Sequence, residues 1–182
     1  MSTERGKRVP EFFDIYDRDK NRTGKTWPRG MPMKQGDYRL VGYAWIMNQD
    51  GFVLLTRRHP DEVWGGYWEC TGGGVQAGET SLQGMLRELK EEIGVSFSEK
   101  EASLLHSSLD GNVWVDSWIF NKDPALSELR LQPKEVTRAI WVCRAEYERM
   151  RRQGVLVPAC THFYEWLEER KKNHESGDGK NI

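Results

Sequence analysis

The 182-residue sequence lacks long hydrophobic runs, and it has no excess of charge of either sign. Its beginning, MSTERGKRVPEFF, has no apolar core of the signal-peptide kind, and no later stretch reaches the ~20 apolar residues that cross a membrane. The 27 Lys and Arg residues nearly balance the 28 Asp and Glu residues, which gives a formal net charge of −1. We therefore expect a cytoplasmic protein of one domain that binds neither nucleic acid nor membranes.

Cysteine is scarce as well, and no two cysteines form a CxxC pair. The three copies, Cys70, Cys143 and Cys160, are odd in number and widely spaced, which predicts reduced thiols rather than disulfides. The four histidines show no ligand spacing either. We therefore expect no zinc site.

One segment, residues 72–95, carries a dense pattern of glycine and glutamate, GGGVQAGETSLQGMLRELKEEIGV. Its apolar residues recur with the period of an α-helix, so they form a single stripe that should face the core. The stripe consists of Leu82, Met85, Leu86, Leu89 and Ile93. The pattern predicts a helix over about residues 80–93, which Gly94 is suited to end in a left-handed conformation.

Three glutamates of this helix, Glu88, Glu91 and Glu92, are spaced at i, i+3 and i+4 and therefore share one face. Like charges at these spacings disfavour a helix by roughly 0.2–0.5 kcal/mol per pair. Mg²⁺ prefers oxygen ligands and binds carboxylates together with substrate phosphates, so a bound cation would offset the repulsion. A solvated helix face rich in glutamate is the alternative. Arg87 lies four residues before Glu91, where an ion pair can hold that carboxylate.

Taken as spacing, the segment is G, five residues, E, seven residues, then R-E-apolar-x-E-E-x-G-apolar, and it resembles the signature of the Nudix hydrolases at every fixed position. The resemblance implies an enzyme that uses Mg²⁺, or Mn²⁺ in its place, to cleave a diphosphate bond. The implied substrate is a nucleoside diphosphate linked to another group. The implied metal ligands are the carboxylates of Glu88, Glu91 and Glu92 and the main-chain carbonyl of Gly72.

The resemblance also implies roles in support and in catalysis. The supporting residues are Gly73, Glu79, Arg87 and Gly94, with Glu79 holding Arg87 and the loop. One carboxylate must accept a proton from the attacking water, and helical geometry leaves both Glu91 and Glu88 as candidates. Glu135, in QPKEVTRAIWV, occupies the place of a further catalytic acid in many family members. A solvent-facing loop carboxylate is an equally good interpretation of Glu135.

Candidate substrate-binding residues lie just before the motif. Arg58, at the end of a predicted strand, is a candidate phosphate ligand, and Trp64, Tyr67 and Trp68 are candidates for stacking on a base. The chain has eight tryptophans, so packing in the core or on the surface is the alternative for each one.

Apolar runs separated by turn residues predict two hairpins, at 39–58 and 102–121. A short strand, a proline turn and a second strand are expected within 126–144, followed by helices at 144–153 and from Pro158 onwards. Strands interleaved with helices in this order indicate an α/β domain with a mixed sheet. The resemblance implies the three-layer α/β/α sandwich of Nudix domains.

We expect an N-terminal arm of residues 1–37, a Nudix domain of residues 38–172 and a disordered tail of residues 173–182. The arm resembles that of a Nudix branch akin to isopentenyl diphosphate isomerase, so a diphosphate isomerase is one alternative function. Such an enzyme needs a catalytic cysteine closer to the motif helix, and Cys70 lies too early. A non-catalytic nucleotide sensor is another alternative, but such proteins usually lose motif glutamates. The sequence is compatible with a homodimer and does not identify the substrate.

Overall fold

A computed structural model describes residues 11–177 of the chain. Within this range the strands are β1 Phe12–Tyr16, β2 Arg22–Pro28, β3 Arg39–Met47, β4 Val53–Arg58, β5 Trp68–Glu69, β6 Thr71–Gly74, β7 Ala102–Asp110, β8 Val113–Asn121 and β9 Val136–Val142. The helices are α1 Ser81–Glu92, α2 Arg144–Arg152 and α3 Phe163–Gly177, and short 3₁₀ turns cover Glu99–Glu101, Leu126–Glu128 and Pro158–Cys160. In this part of the chain no helix has both the length and the apolar character to span a membrane.

Strand β3 lies at the centre of a mixed sheet. It pairs in parallel with β8 along its whole length, and it pairs antiparallel with β6 and with the start of β4 on its other side. Strand β4 continues the sheet to β9 and to the short β5, while β7 pairs antiparallel with β8. Both predicted hairpins, β3–β4 and β7–β8, are confirmed, as is the mixed sheet.

The sheet has helices on both faces, because successive residues of a strand point to opposite sides. Trp45 of β3 packs with Tyr147 of α2 and Phe163 of α3 in one buried cluster. Its neighbour Ile46 packs with Met85 of α1 in a second cluster on the other face. This arrangement is the predicted three-layer α/β/α sandwich.

Helix α1 begins and ends where the sequence pattern places it. The Thr80 hydroxyl accepts a hydrogen bond from the Gln83 N–H (3.2 Å), and Gln83 Oε1 accepts one from the Thr80 N–H (2.9 Å), so a capping box fixes the first turn. Leu89 is fully buried at the centre of the predicted apolar stripe. Gly94, with φ +73°, adopts the left-handed conformation that ends helices.

The predicted short strand in 126–144 is wrong, because that segment docks on α1 instead of joining the sheet. Leu126–Glu128 is a 3₁₀ turn. Beyond it the Arg130 N–H donates to the Ile93 carbonyl, and the Gln132 N–H donates to the Glu92 carbonyl, both at 2.8 Å. These bonds use carbonyls that the end of a helix leaves without partners.

The C-terminal predictions also need correction. Pro158 opens a 3₁₀ turn rather than the last helix, which begins at Phe163. Helix α3 continues to Gly177, so residues 173–177 of the predicted disordered tail are helical. Residues 178–182 of that tail, and residues 1–10 of the predicted arm, lie outside the described residues.

The described part of the predicted arm forms an antiparallel hairpin of β1 and β2 that packs on the domain. Phe13 of β1 is buried, and its ring lies directly against Gly74 of β6. The Ala77 N–H donates to the Phe12 carbonyl at 2.8 Å, so the arm is hydrogen-bonded to the loop that leads into α1.

Candidate active site

A polar cleft with a volume of about 690 Å³ lies beside α1 and brings most of the predicted site residues together. Its walls come from α1, from β6, from the segment before β9, from the loop after β4 and from the arm. The lining residues are Glu11, Arg29, Arg58, Glu62, Glu69, Gly72, Gly73, Gly74, Gln76, Arg87, Glu88, Glu91, Glu92, Gln132, Glu135 and Val136. Every predicted metal ligand and every candidate catalytic carboxylate is in this set.

Arg87 connects the glutamates of the motif to one another. Its Nε donates to Glu79 Oε1 at 2.8 Å and its Nη2 to Glu79 Oε2 at 3.1 Å. Its Nη1 donates to Glu88 Oε1 at 2.8 Å and to Glu91 Oε2 at 3.3 Å. Nη2 also donates to the Gly74 carbonyl at 3.1 Å, which ties the helix to the glycine strand. Glu79 thus holds Arg87 as expected from the sequence, and the supporting roles of both residues in the reaction stay predictions.

The glycine strand lets the main chain come close to Glu88. A Cβ atom at Gly73 would lie only 2.4 Å from Glu88 Oε1, so any larger residue there would push this carboxylate away. Burial raises the pKa of Glu88, although the hydrogen bond from Arg87 and its positive charge act in the opposite direction. Glu88 is therefore held in the cleft, next to the Gly73 main chain.

Glu92 is the most buried of the three motif glutamates, and one of its oxygens is unpaired. Its Oε2 atom is buried and has no hydrogen-bond partner within the protein. Burial raises the pKa of Glu92 well above its usual range, and the negative charges of Glu69, Glu88 and Glu135 raise it further. A buried carboxylate oxygen without a partner destabilises the folded protein unless a cation binds it.

The donor set fits a hard divalent cation. Carboxylate and carbonyl oxygens are the ligands that Mg²⁺ and Mn²⁺ accept, and Glu92, with its unpaired oxygen, lines the same cleft as Glu88 and Gly72. Within residues 11–177 no three Asp, Glu, His or Cys side chains already stand in a metal-binding arrangement. Glu88 and Glu91 form ion pairs with Arg87 rather than a ready-made cation site. Mg²⁺ commonly completes its coordination with water and substrate phosphates.

Glu135 lies across the cleft from α1. Its N–H donates to the Gln132 carbonyl at 3.0 Å, and its Oε1 accepts from Gln132 Nε2 at 3.2 Å, so a tight turn fixes its position. Its charge acts on Glu88 and on Glu92, as the pKa shifts of both show. The side chain is half-buried and lines the cleft. The alternative of a purely solvent-facing loop carboxylate does not describe this position.

Glu69 is a cleft residue that the sequence analysis missed. It belongs to the two-residue strand β5, and only 6% of its surface is exposed. Arg58 Nη1 donates to both Glu69 oxygens, at 2.7 and 2.8 Å, while Arg58 Nε donates to the Val63 carbonyl at 2.6 Å. Burial raises the pKa of Glu69 to about 7, and Arg58 acts against this rise. The predicted phosphate ligand Arg58 is thus already paired with a carboxylate.

A second, more apolar cleft of similar volume adjoins the first and shares Arg58, Glu69 and the 72–74 strand with it. Trp64 lies on its wall with 48% of its surface exposed and with a left-handed φ of +61°, which is unusual for a bulky residue. Trp68 lines neither cleft among the described residues. Because Glu69 faces the cleft, its strand neighbour Trp68 points the other way, where it packs on the core.

The arm adds two charged residues to the polar cleft, Glu11 and Arg29, which the sequence analysis did not single out. Arg29 Nη1 donates to Glu11 Oε2 at 2.7 Å. This hydrogen bond is the largest contribution that raises the pKa of Arg29, and the charges of Glu11, Glu88 and Glu135 add to it. The Arg29 guanidinium therefore lies within the electric field of the motif carboxylates.

The carboxylate-bearing helix, the glycine strand beside it and the mixed sheet define a Nudix domain. The NUDIX domain family matches residues 37–167, and the chain belongs to that family. An uncharacterized Nudix hydrolase of Listeria monocytogenes is 35% identical over 152 residues, which cover 81% of this chain and 89% of that protein. The CTP pyrophosphohydrolase of Escherichia coli is 36% identical over 63 residues, which cover 35% of this chain and 47% of that protein. A crystal structure from Deinococcus radiodurans has a TM-score of 0.64 at 20% identity, with coverage of 79% of this chain and 88% of that one.

The chain is accordingly a Nudix hydrolase, an enzyme that acts on pyrophosphates. The family match begins at residue 37, so the hairpin of β1 and β2 lies before the matched range. It is nevertheless part of the wall of the polar cleft.

Proposed function

We propose that this enzyme hydrolyses, with Mg²⁺, the diphosphate bond of a nucleoside diphosphate linked to another group. The observation that carries the proposal is the buried, unpaired Oε2 of Glu92, a residue that lines one cleft together with Glu88, Glu91 and Gly72. Such an oxygen has a reason to persist in a folded protein when a cation binds it. Mn²⁺ has the same preference for oxygen ligands and is expected to replace Mg²⁺.

In this proposal Glu88, Glu91, Glu92 and the Gly72 carbonyl hold the cation, which when bound neutralises diphosphate charge and lowers the pKa of a water molecule. A carboxylate on the cleft then accepts the proton of the attacking water. Glu91 is the most exposed of the motif glutamates, so it is accessible to such a water.

Glu135 is the second candidate for the proton acceptor, because its side chain lines the cleft opposite α1 without an ion pair in the described structure. Arg87 acts on the reaction indirectly. It keeps Glu88 and Glu91 in place through the bonds described above, while Glu79 fixes Arg87 itself.

The two adjoining clefts support a substrate with a charged part and a less polar part. The diphosphate would occupy the polar cleft, and the nucleoside would extend into the apolar cleft, where Trp64 offers an exposed aromatic face. Flat aromatic bases stack on such side chains. The strained conformation of Trp64 is of the kind that proteins retain at binding sites.

The test is a screen of nucleoside diphosphate-linked compounds for release of phosphate, diphosphate or nucleoside monophosphate, with Mg²⁺ and with EDTA. We expect cleavage of at least one compound with Mg²⁺ and none with EDTA. Binding of a nucleotide without cleavage under any metal condition would favour a sensor instead. Isomerisation of isopentenyl diphosphate without hydrolysis of any compound would favour the isomerase alternative.

A further inference from the structure

The three arginines that line the polar cleft differ in how far their guanidinium groups are already used. Arg87 makes five hydrogen bonds to Glu79, Glu88, Glu91 and Gly74. Arg58 binds both oxygens of Glu69 and a main-chain carbonyl. Neither guanidinium is free to turn towards a substrate without releasing a buried or half-buried carboxylate.

Arg29 is different, because it is held loosely at the mouth of the cleft. Its side chain is 69% exposed, and among the described residues only Glu11 binds its guanidinium, through Nη1 at 2.7 Å. Exposed ion pairs of this kind contribute little to stability, so Arg29 can exchange Glu11 for another anion at small cost. An arginine presents two parallel N–H groups that match phosphate oxygens.

The charge of the cleft favours such an arginine. Seven glutamates line the cleft, against three arginines. A diphosphate entering this field is repelled unless cations offset the carboxylates. A bound metal ion supplies part of that positive charge, and an arginine that is not already paired in the interior supplies more.

The backbone of the arm fixes where Arg29 stands. Arg29 follows directly on β2, and its N–H donates to the Glu11 carbonyl at 2.9 Å, next to the pairing of Phe12 with Pro28. The same strand β1 is bonded through Phe12 to Ala77, in the loop that precedes α1. Arg29 is therefore placed relative to the motif helix by a short, hydrogen-bonded path.

We propose that Arg29 binds a phosphate group of the substrate, so that the N-terminal arm completes the diphosphate site of the hydrolase. In this role Glu11 binds the Arg29 guanidinium in the free enzyme, and a substrate phosphate replaces Glu11 when the substrate binds. This inference rests on the proposed function, since it requires that the polar cleft takes a diphosphate.

The experiment uses imidodiphosphate, a diphosphate analogue with a P–N–P link, and measures its affinity by titration calorimetry with excess Mg²⁺. We expect Arg29→Gln to weaken binding by about tenfold or more, since a charge-assisted contact is lost. Arg29→Lys should weaken it less, because the charge remains. Glu11→Gln should bind as well as the wild type or better.

Lys25→Gln is the matched control, because it removes one positive charge from strand β2 at an exposed position outside the cleft. It should change the affinity by less than about twofold. Equal affinities for Arg29→Gln and the wild type would overturn the proposal. Thermal melts of all four variants show whether the fold is intact.

Turnover separates this proposal from the function on which it rests. If the wild type cleaves a diphosphate substrate and Arg29→Gln leaves KM unchanged, the role of Arg29 is wrong and the hydrolase function stands. If the wild type neither cleaves any diphosphate substrate nor binds imidodiphosphate with Mg²⁺, both proposals fail.

Discussion

Arg58 reaches from the end of β4 to Glu69 on β5 and binds both of its carboxylate oxygens through one nitrogen, at 2.7 and 2.8 Å. The pair lies where the polar and apolar clefts meet, because both residues line both clefts. Neither residue belongs to the glycine and glutamate motif of residues 72–95. The pair therefore links the geometry of the motif cleft to that of the neighbouring substrate cleft.

The first prediction concerns pH and Glu69. Burial raises its pKa to about 7, so between pH 4.5 and 7 the folded protein holds a proton that the unfolded chain has released. Stability from this group is thus complete below about pH 4.5, falls as the pH rises towards 7 and is lost above the folded pKa. We expect Glu69→Gln to remove this pH dependence, which changes the free energy of unfolding by up to about 3 kcal/mol.

The measurement is the free energy of unfolding of both proteins in urea, without divalent metal, from pH 4 to pH 8. The difference between the two proteins cancels the contribution of Glu88, and it contains Glu69 together with the change that its charge makes in the pKa of Glu92. A difference that does not vary with pH would contradict the prediction.

The second prediction tests Arg87 as the residue that positions the motif carboxylates. Arg87→Lys keeps the charge, but one ammonium cannot serve Glu79, Glu88 and the Gly74 carbonyl together. We expect a loss of about 1–3 kcal/mol in the free energy of unfolding and at least about tenfold in kcat.

Lys90→Arg is the control, because Lys90 is exposed on the same helix. This reciprocal exchange should leave stability within about 0.5 kcal/mol of the wild type. If Arg87→Lys behaved like Lys90→Arg in both measurements, the positioning role would be wrong.

The sequence predicts the structure best where the site depends on residues close together in the chain. Helix α1, its end at Gly94 and the shared face of Glu88, Glu91 and Glu92 depend on contacts three or four residues apart, so one segment contains all the information needed. The same holds for the hairpin turns.

Glu69 and Arg29 escaped prediction because their positions depend on long-range contacts. Glu69 lies in a strand of two residues, too short for an alternating pattern to show which face it takes. The prediction that its neighbour Trp68 is a candidate for substrate binding places the two side chains on the wrong faces, and the alternative of core packing describes Trp68. Arg29 reaches the cleft only through the docking of β1 on the loop at Ala77, which no local pattern reveals.

The third prediction compares Trp64, which lies on the wall of the apolar cleft, with Trp68, which packs on the core. Trp64→Ala should leave stability nearly unchanged and raise KM about tenfold, since it removes an exposed stacking surface beside the cleft. Trp68→Ala should instead cost about 3 kcal/mol of stability, because its ring packs on the core cluster. The two variants form a matched pair under thermal unfolding and steady-state kinetics. An unchanged KM in Trp64→Ala would refute its part in substrate binding.

The fourth prediction concerns metal and the unpaired oxygen of Glu92. Mg²⁺ should raise the melting temperature of the wild type. At a Mg²⁺ concentration about a hundred times Kd, the free energy of unfolding should increase by about 2.7 kcal/mol. Glu92→Gln should melt higher than the wild type without metal, because the cost of burying or protonating this carboxylate is removed, and it should lose most of the Mg²⁺ effect. Scanning calorimetry with Mg²⁺ and with EDTA measures both effects. A Mg²⁺ shift as large in Glu92→Gln as in the wild type would exclude Glu92 as a ligand.

The last prediction concerns catalysis by the motif glutamates. Glu91→Gln and Glu92→Gln each remove one negative charge at nearly constant shape, so each should lower kcat by about 10²-fold or more on a substrate that the wild type cleaves. The control is Glu99→Gln, an exposed glutamate in the 3₁₀ turn after α1 that lies outside both clefts. It should retain full turnover and full stability. Because Glu92→Gln is expected to be the more stable protein without metal, loss of its activity cannot be ascribed to unfolding. Turnover in both Glu91→Gln and Glu92→Gln near that of Glu99→Gln would show that the reaction takes place elsewhere.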